Sequence, residues 1–168
     1  MLVYHPAFDL YACVYRMLQL LEVMERDSIE LERIRIWDFY LTFPNEARKI
    51  KFPMQLAELK KIFKDKAANP YEDLIDPRRI LQRMQSFQMA ALRCPASYGL
   101  IDGELLIKKM VKRTDKPIPD AIKVNFQKNS PERDNIIKLV IGFADLPLYG
   151  AVGLKERSGL LDFKYDPR

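Results

Sequence analysis

The spacing of apolar residues at the start of the chain predicts two amphipathic helices. From Pro6 to near Arg26, apolar side chains recur every three or four residues, which places them on one stripe of an α-helix. A second stripe follows Asp27, whose acidic pattern is typical of a capping box. Because the residue before a proline disfavours α geometry, Pro44 predicts that this second helix ends at Phe43.

Prolines mark the starts of further helices. Pro53 suits the first turn of a short helix, because a proline lacks an N–H that this position does not need. Ser130 followed by Pro131 is the usual order of an N-cap and a first helical residue, and apolar residues continue at helical spacing to Phe143. The sequence therefore predicts one helix after Pro53 and another after Ser130.

The segment 76–113 predicts a helix followed by a β-hairpin, the arrangement found in a winged helix. Asp76 is followed by a proline, which is a strong start signal, and Cys94–Pro95 is expected to end the helix. Asp102–Gly103 then predicts a turn, after which the residues of 104–113 are expected to form an extended strand. This hairpin would be the wing.

The last residues of the chain predict a short β element. Ser158–Gly159 is expected to form a turn, and the apolar residues after it alternate with polar ones, as in a half-buried strand: Leu161, Phe163 and Tyr165. The predicted fold is mainly α. It is a single domain over residues 1–168, with a winged helix-turn-helix-like part at approximately 28–113 and a small C-terminal β element.

Composition and charge narrow the function classes only slightly. The chain has 168 residues, 48% of them hydrophobic, which is enough for one domain with a core. Lys and Arg number 28 against 23 Asp and Glu, and the net charge of +5 permits nucleic acid or an acidic partner without requiring either. Cys13 and Cys94 lie among apolar residues, so we expect buried thiols in a reducing compartment.

The apolar N-terminal stretch is expected to be a core helix. It lacks the basic leading region and the small-residue cleavage site of a signal peptide. No apolar run approaches the roughly 18 to 20 residues that a membrane span needs. We therefore expect a soluble, cytoplasmic protein.

The residues that the usual enzyme classes require are missing from the sequence. The single histidine, His5, precedes Pro6 at a helix start, where a capping or surface position is expected. One histidine and two distant cysteines do not form a zinc site, and no glycine-rich phosphate-binding motif occurs. We expect no enzyme activity, no metal and no cofactor.

Three acidic residues ahead of the Asp76 helix suggest one catalytic alternative. They are Glu72, Asp73 and Asp76. Paired carboxylates can hold Mg²⁺ for nuclease chemistry. Helix capping and the positive end of the helix dipole also explain an acidic loop at this place, and they are the favoured explanation. A Mg-dependent nuclease subunit is kept as an alternative function.

Basic residues on the predicted winged helix form the candidate DNA-binding site. They are Arg78, Arg79 and Arg83 on the helix and Lys108, Lys109, Lys112 and Arg113 on the wing. These residues would contact phosphates, which fixes the position of a protein on DNA without reading its sequence. The residues suited to base edges are Gln82, Gln85 and Gln88, so we do not expect sequence-specific recognition.

A protein adaptor is the competing hypothesis, in which these charges face an acidic partner or water. The candidate partner-binding residues lie in two segments where prolines accompany aromatic residues. They are Phe43 and Phe52 in the first segment and Leu148 and Tyr149 in the second. Burial of these residues in the core of the protein is the simpler interpretation. A free-standing winged-helix transcription regulator is a further alternative.

Four stretches of the sequence resemble one bacterial family. They are HPAFDLYACVYRMLQLL, WDFYLTFP, YGLID and GLKERSGLLDFKYD, and the resemblance spans nearly the whole chain. The family is the middle component of ABC-three-component systems. These are operons that pair an SMC- or Rad50-like ABC ATPase with a small central subunit and a further component, and they are inferred to act against phages and plasmids.

The resemblance implies a non-catalytic, winged-helix-like accessory subunit that bridges the ATPase and an effector. It implies the ATPase and a third component of the same operon as partners, and it carries no catalytic residue across to this sequence. Any DNA contact would be weak and independent of sequence. Whether the subunit forms a homo-oligomer is left open.

Overall fold

Helices dominate the computed structural model, which describes residues 4–64, 71, 73–162 and 166. The fold is mainly α, as predicted. The helices are α1 (Leu10–Val23), α2 (Leu31–Thr42), α3 (Ala57–Lys64), α4 (Pro77–Ser97), α5 (Gly103–Ile107), α6 (Asp120–Lys123), α7 (Pro131–Gly142) and α8 (Leu154–Ser158). Short 3₁₀ turns occupy Pro6–Phe8, Pro44–Lys49, Met54–Leu56 and Val124–Gln127. A single two-stranded antiparallel sheet pairs β1 (Ile29–Glu30) with β2 (Met110–Val111) in the described residues.

The core is built around α2. All residues of this helix are buried except Glu32 and Thr42, and it contacts α1, α4 and α7. The longest helix, α4, packs along α1. Trp37 on α2 meets the ring of Phe143 edge to face, with the ring centroids 5.6 Å apart. Within the described ranges, no helix is both long enough and apolar enough to cross a membrane.

Side-chain caps fix the starts of α1, α4 and α7. Asp76 and Ser130 cap α4 and α7 as predicted, and each side chain accepts a backbone N–H at 3.2 Å from the residue three positions on. The first helix begins later than predicted. Asp9 caps α1 by accepting the N–H of Ala12 at 2.7 Å, and Pro6 instead starts a separate 3₁₀ turn.

The predicted start of the second helix was wrong, and its predicted end is confirmed to within one residue. Asp27 does not cap α2, because the chain first forms β1 beside β2, with Ile29 opposite Val111. The backbone N–H of Leu31 then donates to the carbonyl of Lys109 at 3.0 Å, so the helix starts only at Leu31. Pairing with a distant strand therefore displaced a local capping signal.

Pro95 does not end α4, contrary to the prediction. The helix runs on to Ser97, and Pro95 is buried within it. A proline inside a helix removes one backbone N–H and crowds the carbonyl four residues earlier, but the residues after it can still be helical. The following turn stays bonded, since the N–H of Tyr98 donates to the carbonyl of Cys94 at 3.3 Å and that of Leu100 to Pro95 at 2.9 Å.

The predicted wing hairpin was wrong in its centre. Asp102 does not form a hairpin turn but caps α5, where its carboxylate accepts the N–H groups of Glu104 and Leu105. Only the base of this loop pairs as strands do, through an antiparallel bridge between Ile101 and Arg113. Ile107, within the stretch predicted to be a strand, lies at the end of α5 and is 85% exposed. The winged-helix detail is therefore not confirmed.

The C-terminal segment forms a helix where it is described. The predicted turn at Ser158–Gly159 is present, and Gly159 adopts the left-handed conformation with φ of 65° that often closes a helix. Phe163 and Tyr165, which carried the predicted strand, lie outside the described residues. Among the residues described after Gly142, the structure holds α8 and loops without a strand.

Candidate functional site

Arg78 and Arg79 stand exposed on the first turn of α4. Both line an open groove of ≈ 590 Å³, together with Gln82 and Gln85 from the next turn. Their neighbour Asp76 caps the helix. The first turn of α4 therefore places two predicted DNA-binding residues at the edge of a groove.

Arg83 lies on the same helix but makes a different contact. Its guanidinium carbon is 4.8 Å from the ring centroid of Phe8. This cation–π interaction holds the side chain against the 3₁₀ turn before α1. The charge of Arg83 is therefore directed along the protein surface toward Phe8 and away from the groove of Arg78.

The remaining predicted DNA-binding residues surround β2. Lys108, Lys109 and Lys112 are exposed, and their side chains form no ion pair within the described part of the chain. Arg113 differs, because its Nη1 lies 2.9 Å from Glu22 on α1. The three lysines are therefore accessible to a partner and have no ion pair among the described residues, whereas Arg113 shares the carboxylate of Glu22 with Lys123.

The seven predicted DNA-binding residues form two separate groups. Arg78 and Arg79 are at the start of α4, and the lysines follow its end. A helix of 21 residues is about 30 Å long at 1.5 Å per residue. The two groups therefore do not converge on one phosphate, although an extended ligand could reach both.

Gln88, which we expected to face a base edge, is buried with 0% exposure. Its amide nitrogen donates to Asp38 Oδ2 at 2.9 Å and to the carbonyl of Arg35 at 3.2 Å. That prediction was wrong because the inner face of α4 includes this glutamine. Gln82 and Gln85 are exposed.

A buried polar network joins α1, α2 and α4, and the sequence analysis missed it. Arg16 Nε donates to Asp38 Oδ1 at 2.6 Å, and Arg16 Nη1 donates to the carbonyl of Pro6 at 3.0 Å. Gln88 Oε1 accepts from Arg35 Nε at 2.8 Å. The available signal was a set of polar side chains at core-facing positions, which can be buried only when they are bonded to one another.

The thiol of Cys13 lies beside this network. Its sulfur is 3.8 Å from Asp38 Oδ2, and the residue is buried as predicted. Burial, with the charge of Asp38, raises the pKa of Cys13 to about 12. Such a thiol is not a nucleophile near neutral pH. Cys94 is half-buried.

The predicted partner-binding residues differ in exposure. Phe43 is half-buried and stacks on His5, with the ring centroids 5.1 Å apart. Phe52 is half-buried against Phe143 and another ring of the core. Leu148 is 1% exposed and belongs to the core. Of the four, Tyr149 is the most accessible to a partner.

The acidic loop and the histidine both have structural partners. Asp73 accepts from Arg48, which holds the pKa of that carboxyl below its usual range, and from Asn45 at 3.1 Å. His5 Nδ1 accepts the N–H of Ala7 at 3.1 Å, which confirms its capping role. In the described part of the chain, no three His, Cys, Asp or Glu residues are grouped as metal ligands would be. Glu72 lies outside it.

Comparison with known proteins connects this chain to one family. No curated protein and no solved structure matched it significantly. A family model matched residues 2–166, which is nearly the full length. The chain therefore belongs to the family described as ABC-three component (ABC-3C) system Middle Component 5.

Proposed function

We propose that the protein is a non-catalytic accessory subunit that bridges an SMC- or Rad50-like ABC ATPase and an effector component in a bacterial conflict system. The family match over residues 2–166 is the observation that carries the proposal. A middle component works with the other components of its system. This chain must therefore supply surfaces that bind them.

The placement of polar groups supports a binding role. The buried polar cluster around Asp38 joins three helices in the interior and contributes to packing. Of the acidic loop, the two described carboxylates are bonded, Asp73 to a guanidinium and Asp76 to a helix N-terminus. The hydrogen bonds of Asp38, Asp73 and Asp76 thus support a structural role for these three carboxylates.

Some exposed apolar side chains are candidates for contacts with a partner. Tyr149 and Val152 are exposed on the loop before α8, and Tyr11 is exposed on α1. Lone apolar residues are normal on a protein surface, but aromatic residues are enriched where proteins bind one another. We propose that the loop with Tyr149 contacts a partner, whereas Phe43 and Phe52 serve mainly to pack the fold.

Weak DNA contact is the second element of the proposal. Arg78 and Arg79, at the start of α4, line a groove that also holds two aspartates. Lys108, Lys109 and Lys112 are exposed on the loop beyond the other end of α4 and have no ion pair in the described part of the chain. These lysines would contact phosphates and would not read bases. We propose that they act within the assembled complex in the cytoplasm, where contacts too weak to hold DNA alone gain from a high local concentration.

Co-purification tests the bridging role. We expect the full chain, co-expressed with the products of its neighbouring genes, to purify with both an ABC ATPase and a third component. Omission of this chain should separate those two components. If the ATPase and the third component bind each other equally well without it, the bridging role is excluded.

Two measurements on the isolated chain distinguish the alternatives. A preference of about a thousandfold for one DNA sequence would establish a free-standing regulator, since non-specific binders lack such a ratio. Magnesium-dependent DNA cleavage that is lost in Asp73→Asn would establish a nuclease subunit. We expect neither result.

A further inference from the structure

Arg35 on α2 is a buried cation that has no carboxylate bonded to it among the described residues. Its side chain is only 7% exposed. Nε donates to Gln88 Oε1 at 2.8 Å and Nη2 donates to the carbonyl of Leu81 at 3.4 Å, and both acceptors are neutral. Nη1 has no hydrogen-bond partner in the same part of the chain. Burial lowers the pKa of Arg35, because desolvation disfavours its charged form.

The charges of Glu32 and Asp38 lie near this guanidinium and partly offset its desolvation, but neither carboxylate is hydrogen-bonded to it. Charges taken out of water are stabilised by opposite charges or by metal coordination, and an uncompensated one is costly. Arg35 lines the groove of ≈ 590 Å³ into which Arg78 and Arg79 also face. Three guanidinium groups from two helices therefore border one open space.

The charge balance of the groove fits one carboxylate. Its lining contains three arginines and two aspartates, Asp76 and Asp162, so that one positive charge is left over. One oxygen of Asp76 is already used, because Oδ1 accepts the N–H of Arg79 at 3.2 Å. Two aspartates would repel a continuous run of phosphates, whereas a single acidic side chain needs only one compensated charge.

An apolar wall adjoins these charges. Leu160 is 5% exposed and Leu161 is half-buried, and both line the groove opposite the start of α4. A residue beside the bound carboxylate would gain from removing apolar surface from water at this wall. The groove is therefore complementary to an acidic side chain with an apolar neighbour.

We propose that this groove, with Arg35 at its wall and Arg78 and Arg79 at its rim, binds an acidic side chain flanked by leucine-like residues on a partner subunit of the assembly. This inference rests on the proposed bridging role and names one contact that would carry it. The guanidinium groups would bind the carboxylate through charge-assisted hydrogen bonds, which planar arginines form well. The two leucines would bind the apolar neighbour.

NMR titration of the full chain provides the test. The probe is acetyl-Leu-Glu-Leu-amide, the comparison peptide is acetyl-Leu-Gln-Leu-amide, and the side-chain N–H signals of arginine are followed. We expect saturable shifts with the glutamate peptide and about tenfold weaker binding of the glutamine peptide, because a hydrogen bond to a charged group exceeds a neutral one.

Variants assign the binding to the groove. Exchange of both Arg78 and Arg79 for Gln should lower the affinity for the glutamate peptide about tenfold or more, since two charged donors are lost. Arg35→Lys keeps the charge but loses the planar, two-pronged guanidinium. It should lower the affinity for the glutamate peptide while the circular dichroism spectrum stays unchanged. Arg93→Gln is the matched control, because Arg93 is exposed on the same helix away from the groove.

Four results would overturn the inference: no saturable shift, equal binding of the two peptides, a loss with Arg93→Gln as large as with the double variant, or tighter binding of a short oligothymidylate at the same signals. The last result would make the groove a phosphate site. Failure of the bridging role is separate. Suppose that the wild-type chain co-purifies with its partners and that the double variant Arg78→Glu, Arg79→Glu co-purifies equally well. The groove is then excluded as the contact, while the bridging role stands.

Discussion

Some charged residues of this protein are buried and form part of the packed core. Arg16 and Asp38 are 1% and 0% exposed, and they bond to each other at 2.6 Å. An ion pair in the interior adds little net stability compared with apolar residues of the same size. The loss of one partner is a different matter, because it leaves the other charge buried alone.

Asp38→Asn should lower the free energy of unfolding by about 3 to 5 kcal/mol, the usual cost of breaking a buried pair. Urea denaturation followed by circular dichroism measures this loss. The control is Glu58→Gln, which breaks an exposed pair with Lys61 and should cost about 0 to 1 kcal/mol. Equal losses in the two variants would mean that the network around Asp38 is not a stabilising element.

His5 makes stability depend on pH. Burial and the charge of Arg16 lower the pKa of His5 below its ordinary value of 6.5. The unfolded chain therefore binds more protons than the folded protein as pH falls from 6.5 toward the folded pKa, and the free energy of unfolding decreases over that window. Above pH 6.5 the imidazole is neutral in both states, and its Nδ1 accepts the N–H of Ala7.

When the pH is lowered from 7.5 to 5.5, the urea concentration at the unfolding midpoint of the wild-type protein is expected to decrease because of this histidine. His5→Asn is the matched control, since an asparagine oxygen can accept the N–H of Ala7 but does not titrate. The midpoint of the variant should change less over the same interval. A pH dependence that is identical in both proteins would contradict the assignment to His5.

At the scale of elements, the sequence predicted what local chemistry decides. The caps at Asp76 and Ser130 and the helix end before Pro44 were found because each depends on neighbouring residues only. The start of α2 was missed because β1 pairs with β2, about eighty residues away. The local sequence around Asp27 does not predict that pairing.

The loop 100–114 shows the same limit. Asp102 followed by Gly103 is typical of a tight turn, but aspartate is also a good N-cap, and the structure uses it to start α5. Gln88 was likewise assigned by residue type, whereas the packing of α2 against α4 decided its burial beside Arg35, for which no role was predicted. The contribution of Arg35 to the groove was therefore not predicted from the sequence.

Gly153, at the start of α8, is where a close backbone approach requires glycine. A Cβ atom at this position would stand 2.6 Å from the carbonyl oxygen of Leu148 and closer still to that of Tyr149. Gly153→Ala should lower the free energy of unfolding by about 1 to 3 kcal/mol, the usual cost of overpacking. Thermal unfolding followed by circular dichroism measures it.

Gly103→Ala is the matched control for this prediction. Gly103 is the first residue of α5, no atom lies within 4 Å of its ideal Cβ position, and alanine favours helix. The control should be neutral or slightly stabilising. If both variants unfold at the same temperature, the backbone contact at Gly153 is not a constraint.

Across the whole molecule, the predicted DNA-binding residues at the two ends of α4 lie on two different surfaces. Arg78 and Arg79 belong to the groove that also contains Arg35, where two aspartates reduce the positive charge. The three lysines near β2 lie on an exposed loop, and no acidic residue of the described part pairs with them. DNA contact, if it occurs, is therefore expected at the loop, and protein contact at the groove.

Salt dependence tests this division. The isolated chain is expected to bind duplex DNA without sequence preference, with a Kd of roughly 10⁻⁴ to 10⁻⁶ M at physiological salt. Exchange of Lys108, Lys109 and Lys112 for Gln should reduce the slope of log K against log salt concentration by about one per lysine, because each phosphate contact releases counterions. Fluorescence anisotropy across a salt series measures the slope.

The matched control removes three exposed lysines of α3, Lys60, Lys61 and Lys64, which changes the net charge by the same amount elsewhere on the surface. A slope that depends only on net charge falls equally in both triple variants, and that result would reject the loop as the DNA-contacting surface. A slope that falls only when the loop lysines are removed places the phosphates beside β2. The same loop variant should then also weaken DNA binding by the assembled complex, since tethering raises the local concentration of a contact but cannot replace the charges that make it.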